Sequence, residues 1–354
     1  MQVEKMIVKN TKKKVQIIFF MMALLLVLTF ICFLVGSSHM SISECFKALM
    51  HESTAANNRI IWNIRIPRVL AALIAGAGLA VSGLIMQTVL NNPLASPSVL
   101  GVSNAAVFGA NLSIIAFAGG FLSTGHNVSN YMVGASPYST SFMAFVFSLL
   151  SILLILALCR VKAFSPGVVV LAGVAIGSIW TAATTILQFY ATDVGLSAAV
   201  IWNFGDLGRA TYKTDAIMLA VVLLGYVCFT VLSWRYNSLF GGDEMAKSMG
   251  INVDLLRFIS LFLSSMITAV CVSFLGIIGF VGIICPHVMK KILGQDHRFT
   301  IPTSALCGSL LLVFADTVSR SMGNGSALPI GAITSLLGAP FFIAIIFSRG
   351  EHKV

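Results

Sequence analysis

Ionisable side chains are scarce in this sequence. Only 10% of its 354 residues are Asp, Glu, Lys or Arg, whereas 58% are apolar. A soluble domain carries about 25% charged residues, so this chain has too few to cover a surface that faces water. The scarcity excludes a soluble enzyme, a secreted disulfide scaffold and a disordered chain. It predicts an all-α, polytopic integral membrane protein.

Signatures of catalysis and of cofactor binding are also missing. The sequence has no Gly-Lys dipeptide, and therefore no phosphate-binding loop of its own for a nucleotide. Its seven cysteines form no Cys-x-x-Cys pair and its six histidines are scattered, so we expect buried thiols rather than a metal site. The net charge of +10 is dispersed between apolar runs, which fits loops beside anionic lipids rather than a nucleic-acid-binding face. We predict no catalytic residue, no metal and no cofactor.

Ten apolar runs are long enough, or nearly long enough, to cross a bilayer as helices. A span needs about 20 mostly apolar residues, whereas the apolar core of a signal peptide has only about 7–15. The first run is longer than such a core, so we predict a retained first span. The runs cover residues 17–35, 68–90, 100–118, 141–158, 168–190, 216–234, 258–275, 279–293, 300–318 and 330–347. The eighth run is the shortest.

The distribution of basic residues predicts the orientation of these spans. With ten spans and a cytoplasmic N-terminus, fifteen of the 22 Lys and Arg residues lie in inner segments and seven in outer ones. This asymmetry follows the positive-inside rule, so we place both termini in the cytoplasm. The predicted organisation is a basic N-terminus over residues 1–16, one transmembrane domain over residues 17–348 and a tail over residues 349–354. The longest loop, about residues 36–66, is too short for a second domain.

Small residues recur inside the runs at a spacing of four. Ala72, Gly76 and Ala80 form one such series, and Gly173 and Gly177 form another. Small side chains allow helix backbones to approach closely, so we expect a compact bundle at these positions.

Asp316 is the only carboxylate well inside a predicted span, and Arg320 follows it four residues later. Charges inside a membrane mark either ion pathways or paired structural sites. The i,i+4 spacing favours a local ion pair, and the residues alone leave open a proton or ion site. With a neutral interior and no phosphate-binding loop, the chain is typical of a pathway for a bulky solute that is powered from outside.

Three stretches are more specific than composition. The first combines Arg65-Ile66-Pro67-Arg68 with Asn92-Pro93-Leu94-Ala95-Ser96-Pro97, and the second is Gly242-Asp243-Glu244-Met245-Ala246-Lys247-Ser248-Met249-Gly250. The third combines Gly279-Phe280-Val281-Gly282, Ala315-Asp316-Thr317 and Leu337-Gly338-Ala339-Pro340-Phe341-Phe342. In order and spacing they resemble the FecCD family, the permease subunits of iron–siderophore, haem and cobalamin ABC importers. The departures are small: Met249 stands where the family usually has Leu, and Ala327 stands where Glu is common.

This resemblance, from about Arg65 to Phe342, implies the permease fold of type II ABC importers, with about ten transmembrane helices. It implies a non-enzymatic, multi-pass permease of the bacterial inner membrane that works with a second permease copy or a paralogue. Two ATPase subunits would bind inside, and a solute-binding protein would bind outside. The implied cargo is an iron chelate, most often a ferric siderophore, moved inward by alternating access; haem and cobalamin stay open.

The resemblance also assigns roles to residues at the outer surface. Arg65, Arg68 and Arg320 match family positions that meet acidic residues of the binding protein, since an arginine can hold a carboxylate in a two-pronged contact. Ordinary interfacial placement of long side chains is the alternative for all three. Arg320 has the further alternative of pairing with Asp316.

On the inner side the resemblance implies two further elements. Residues 241–256 would form the coupling loop that contacts the ATPase, and the residues assigned to coupling are Gly242, Asp243, Glu244, Ala246 and Gly250. The inner gate would consist of Asn92, Pro93, Leu94, Ala95, Ser96 and Pro97 together with Phe164, Ser165 and Pro166. A solvated loop and simple connectors are the respective alternatives.

Two other classes of protein stay open at this point. An ion-coupled secondary carrier would use Asp316 as its ion site, and a membrane scaffold would transport nothing. For the lining of a pathway, the fifth run offers Trp180, Thr181, Thr184, Thr185 and Gln188, and the sequence does not decide among them.

Overall fold

The computed structural model describes residues 2–36, 40–98, 100–117, 136–161, 166–322 and 327–348, with side chains except at 2–10, 117, 159–161, 341–342 and 344–348. In chain order the first helices are α1 (Gln2–Leu34), α2 (Ile42–Leu49), α3 (Ala55–Ile60), α4 (Ile66–Val89), α5 (Val102–Asn111), α6 (Pro137–Val161) and α7 (Pro166–Phe189). They are followed by α8 (Asp193–Asn203), α9 (Tyr212–Val231), α10 (Ser233–Ser238), α11 (Asp243–Ser248), α12 (Val253–Leu275), α13 (Val281–Leu293), α14 (His297–Met322) and α15 (Ile330–Ser348). The described part of the chain is a helical bundle, as predicted.

Each of the ten predicted runs overlaps a helix. Within the described ranges, seven stretches are long and apolar enough to cross a membrane: Thr11–Leu34, Ala55–Val89, Pro137–Leu158, Pro166–Phe189, Tyr212–Val231, Val253–Leu275 and His297–Met322. The other three runs correspond to α5 with the π-helical turn Leu112–Phe117, to α13, and to α15. The count of ten spans and the side of the termini stay predictions.

Helix α4 lies at the centre of the bundle, where it packs against α9, α12, α13 and α14. Gly76 of α4 faces Gly308 of α14, and Gly83 faces Gly282 of α13. A Cβ atom at Gly76 or Gly83 would collide with the backbone carbonyl of the facing glycine. The close packing predicted from the small-residue spacing is therefore confirmed at Gly76.

The second series of small residues serves a different pair of elements. Gly173 and Gly177 of α7 pack directly against the backbone of Leu100 and Gly101, at the start of α5. Without Cβ atoms on α7, the two helices lie close enough to share one polar groove, which is described below.

Helix α1 lies at the periphery of the bundle. It packs mainly on α14, and only 11% of its most apolar stretch is buried. Side chains such as Phe19, Phe20 and Leu26 are exposed, as expected for a helix that faces lipid. At its inner part, the ammonium of Lys14 lies 5.0 Å from the ring centre of Phe299.

The outer segment between α1 and α4, predicted as a loop, contains two short helices. Ser41 caps α2, because its hydroxyl accepts from the Glu44 backbone while the Glu44 carboxylate accepts from the Ser41 backbone. The indole of Trp62 donates to the Ala48 carbonyl at 3.3 Å and so fastens α2 to the turn that precedes α4. The sequence pattern Ser41-x-x-Glu44 is the signal that could have predicted α2.

The glycine contacts of α4 give a testable prediction. Gly83→Ala places a methyl group against the Gly282 carbonyl, so we expect a loss of at least ~1–3 kcal/mol, as for overpacked cores. The measurement is the apparent melting temperature of the purified protein in detergent. Gly167→Ala is the matched control, because nothing lies within 4 Å of a Cβ at that position. Equal melting temperatures for the two variants would contradict the close α4–α13 contact.

Candidate functional site

A buried carboxylate joins two helices at the end of the bundle that the predicted topology places outside. Asp316 of α14 has no exposed surface. One of its oxygens accepts from Nε of Arg68 on α4 at 2.7 Å, and the other lies 3.0 Å from Nε of Arg320. Arg68 also lies 3.5 Å from the half-exposed Asp206. The predicted Asp316–Arg320 ion pair is therefore confirmed, and Arg68 is a second partner that the sequence analysis missed.

Two arginines at this end hold the last turn of α1. Arg320 donates from Nη2 to the Cys32 carbonyl at 2.6 Å and from Nη1 to the Val35 carbonyl. Arg65 donates from Nη1 to the carbonyls of Phe33 and Leu34 at 3.0 and 3.1 Å. The last carbonyls of a helix have no partner within the helix and carry partial negative charge, so cations are favourable there. These contacts attach the peripheral helix α1 to the core.

The three arginines predicted to contact a binding protein thus lie together but point inward. Arg65, Arg68 and Arg320 are only 3%, 8% and 7% exposed. Their role in docking stays a prediction, and the structure adds an internal role for each. The same contacts argue against an ion carrier centred on Asp316, because both of its oxygens are occupied by guanidinium groups and neither reaches water.

Asp215 is a second buried carboxylate that the sequence analysis did not single out. It is 3% exposed, and neither of its oxygens has a hydrogen-bond partner among the described residues. It lies near the start of α9, where the helix N-terminus favours a negative charge. Its place just before the predicted sixth run was the available signal.

An open groove of about 530 Å³ runs between α5 and α7. The polar side chains in its lining are neutral, and they include Asn104, Ser178, Thr181 and Thr185. The Asn104 amide donates to the Thr181 hydroxyl at 2.9 Å, and the three hydroxyl residues are exposed on one face of α7. Hydroxyl and amide groups on an exposed face of a membrane helix suit a hydrated path or a second protein better than lipid tails.

Of the candidate lining residues in the fifth run, some face the groove and others are buried in the bundle. Thr181 and Thr185 line the groove, whereas Thr184 is buried and its hydroxyl donates to the Trp180 carbonyl at 2.8 Å. The Trp180 ring packs against Phe108 and Phe147 in the core. Gln188 is partly buried and donates to the side-chain oxygen of Asn111 at 2.9 Å.

The loop predicted as the inner gate connects α4 to α5. Asn92 and Pro93 are half-buried and Leu94 is exposed, whereas Ala95, Ser96 and Pro97 are buried. The Asn92 side chain accepts from the Leu94 backbone at 3.0 Å and fixes a tight turn. Ser96 and Pro97 border a cavity of about 240 Å³, whose opposite wall includes Gly279 and Phe280. Phe164 and Ser165 lie outside the described residues, and Pro166 is the first residue of α7.

The segment predicted for coupling has the helix–glycine–helix shape expected from its sequence. Helix α11 begins after Gly242 (φ 91°) and ends before Gly250 (φ 79°), both in the left-handed half of conformational space. Asn252 then caps α12, because its side chain accepts from the Leu255 backbone at 3.0 Å. Within α11, Ala246 is fully buried and fixes one face against the bundle.

The two acidic residues of α11 have different surroundings. The Glu244 side chain is 91% exposed and accepts from the Lys247 ammonium at 3.0 Å, which raises the pKa of Lys247. The Asp243 side chain is 41% exposed and accepts two hydrogen bonds from the Arg257 guanidinium, both 2.8 Å long. The sequence motif does not distinguish the two residues. Glu244 is the more exposed of the two and is held only by a residue of its own helix.

Comparison with known proteins identifies the class. The model of the FecCD transport family matches residues 24–348. An ABC transporter permease protein of Methanocaldococcus jannaschii is 42% identical and covers 95% of both chains. A hemin transport system permease protein of Yersinia pestis is 35% identical and covers 94% of this chain and 97% of its own.

A solved structure agrees with these relatives. A metal-chelate type ABC transporter in an inward-facing conformation has a TM-score of 0.79 and 28% identity, and the match covers 94% of this chain and 99% of the other. The fold is thus that of a permease subunit of an ABC importer, a transport component rather than an enzyme.

The chain belongs to the FecCD transport family. It is a multi-pass protein of the cytoplasmic membrane, and ATP is hydrolysed by a separate subunit of the importer. The expectation drawn from the sequence motifs is therefore confirmed at the level of family, and a permease of this class works with ATPase subunits and a second permease.

The buried carboxylate gives a prediction about stability. Asp316→Asn leaves the buried Arg320 without its countercharge and Arg68 with only the half-exposed Asp206, so we expect a loss of ~3–5 kcal/mol, the cost of removing one partner of a buried ion pair. The measurement is thermal unfolding in detergent. Asp206→Asn is the matched control, because it removes a half-exposed charge near the same arginine and its amide oxygen can still accept from the Gly208 backbone. A control variant that loses as much stability as Asp316→Asn would refute this ranking.

Proposed function

We propose that this permease imports an iron chelate, most specifically a ferric siderophore, inward by alternating access with energy from a separate ATPase. The observation that carries the cargo proposal is the neutral polar groove between α5 and α7. A ferric siderophore surrounds its metal with oxygen ligands and offers many hydrogen-bond acceptors. Hydroxyl and amide groups such as Asn104, Thr181 and Thr185 can contact such a surface without holding it as strongly as a fixed charge would.

The relatives support an iron-containing chelate as the cargo class. The Yersinia pestis relative is a hemin transport system permease, and the solved neighbour is a metal-chelate type transporter. Haem is therefore the alternative cargo closest to the proposal, and cobalamin is a further one. We place specificity mainly in the extracytoplasmic binding protein, so the groove has to pass the chelate rather than select it.

The proposed docking surface for this binding protein includes Arg65, Arg68 and Arg320. Their clustering at one end of the bundle supports the proposal. Arg68 supports it further, because its Nη2 atom has no hydrogen-bond partner among the described residues. A carboxylate of the binding protein that reached Arg68 would compete with Asp316. Docking could then loosen the contact between α4 and α14 and signal the arrival of cargo.

The proposed inner elements are the gate, Asn92–Pro97 with Phe164–Pro166, and the coupling loop over residues 241–256. The exposed Glu244 supports the coupling proposal, because it presents a carboxylate to the cytoplasm on a short helix bounded by two glycines. The buried wall of the gate loop beside Gly279 and Phe280 supports the gate proposal, because the cavity between them leaves room for the loop to move.

Cargo identity is tested by uptake in proteoliposomes that contain the permease, its ATPase and its binding protein. We expect ATP-dependent accumulation of radioactive iron supplied as a ferric siderophore. Haem or cobalamin should compete with this uptake at least tenfold more weakly than the unlabelled siderophore does. Vesicles without ATP are the control for leakage. Equal or stronger competition by haem would replace the siderophore with haem as the cargo, and uptake without ATP would refute the ABC mechanism.

A further inference from the structure

Arg257, near the start of α12, contacts both the proposed coupling loop and the end of α4, which leads into the proposed gate loop. It is 5% exposed, so its guanidinium group is enclosed by protein. Nη1 and Nη2 donate to the two oxygens of Asp243 at 2.8 Å each, and Nε donates to the Val89 carbonyl at 3.0 Å. Asp243 is the first residue of α11, and Val89 is the last residue of α4. The Arg257 side chain therefore holds the start of α11 and the end of α4 together.

The elements on both sides of this contact can move as units. Helix α11 has six residues and lies between Gly242 and Gly250, and nothing lies within 4 Å of a Cβ at either glycine. On the other side, the chain leaves α4 through Leu90 and Asn91 (φ 43°) directly into the gate loop Asn92–Pro97. A displacement of α11 that retains the Arg257–Asp243 contact must also pull on the last turn of α4.

The chemistry of the contact suits transmission of a displacement. A guanidinium group that holds a carboxylate through two parallel hydrogen bonds fixes both distance and orientation, and lysine cannot reproduce this. The pair is shielded from water on the arginine side, where screening by salt is weak. By contrast, the Glu244–Lys247 pair of the same helix is exposed on both side chains and links residues within α11 only.

We infer that Arg257 is a positioning residue that couples movement of α11 to the inner gate through the end of α4. Contact of α11 with the ATPase would shift Asp243, Arg257 would follow, and its third donor would carry the shift to Val89 and the gate loop. Asp243 thus forms part of this connection, whereas Glu244 faces the ATPase. This inference rests on the proposed coupling role of residues 241–256.

The test compares Arg257→Lys and Asp243→Asn with the wild-type importer in proteoliposomes. For both variants we expect at least a tenfold fall in cargo transported per ATP. For Arg257→Lys, which lies outside the coupling loop, we also expect assembly with the ATPase and ATP hydrolysis within about twofold of wild type. Arg298→Lys is the matched control. Arg298 holds Asp296, two residues earlier, through the same kind of contact. These two residues also contact α10, through the Trp234 ring and the Asn237 side chain, and no contact between them and α11 or the gate loop is part of the proposed connection. The transport per ATP of Arg298→Lys should equal that of wild type.

The charge-exchanged variant Asp243→Arg with Arg257→Asp tests whether the Val89 contact is needed in addition to the ion pair. It restores opposite charges at the two positions but no donor to the Val89 carbonyl, so its transport per ATP should stay as low as in Arg257→Lys. Recovery to the wild-type ratio would overturn the inference. The inference is overturned if Arg257→Lys transports as much per ATP as Arg298→Lys. It is also overturned if assembly, ATP hydrolysis and transport fall in parallel in Arg257→Lys and Asp243→Asn, since Arg257 would then have a structural role alone. An inactive wild-type importer would contradict the proposed function itself, so the two failures are distinguishable.

Discussion

One end of this bundle, which the predicted topology places outside, depends on one buried carboxylate held between two arginines. A charge in the apolar interior of a membrane protein is costly unless it is paired and hydrogen-bonded, so Asp316 and its partners have to be arranged together. Through Arg68 the carboxylate joins α14 to the central helix α4, and through Arg320 it reaches the last carbonyls of α1. A helix that is mostly exposed along its length is thereby fixed at one end.

This network also bears on the source of energy for transport. Among the described residues, the buried carboxylates are Asp316 and Asp215, which lie less than about two turns from the end of α14 and less than about one turn from the start of α9. Asp316 is enclosed by guanidinium groups. A proton or ion relay needs titratable groups that reach water and continue across the membrane. The sequence places no other Asp or Glu within the ten predicted runs. Energy supplied by an ATPase on the inner face is the mechanism that agrees with this distribution and with the family.

The sequence predicts the helices well and the contacts between distant helices poorly. Apolar runs and glycine spacing are local patterns, and the structure reproduces both of them. The i,i+4 spacing likewise predicts the pair of Asp316 with Arg320. The partnership of Asp316 with Arg68 joins residues 248 positions apart, and no periodicity encodes which helix packs against α14.

The coupling segment shows the same limit at shorter range. The motif identifies residues 241–256 as one unit, but it does not tell that Asp243 turns toward Arg257 while Glu244 turns outward. That difference depends on how α11 lies against the first turns of α12, which is a tertiary property. In the structure, therefore, Asp243 is bound to Arg257, whereas Glu244 is exposed at the surface.

In this mechanism the permease obtains its energy from ATP hydrolysis on a partner chain. The most direct measurement is native mass spectrometry of the importer after gentle purification of the tagged permease from its own membrane. We predict a complex with one ATPase subunit that contains a phosphate-binding loop for each permease. A permease that is recovered without any ATPase, and whose transport activity in vesicles collapses when an ionophore removes the ion gradient, would contradict this mechanism.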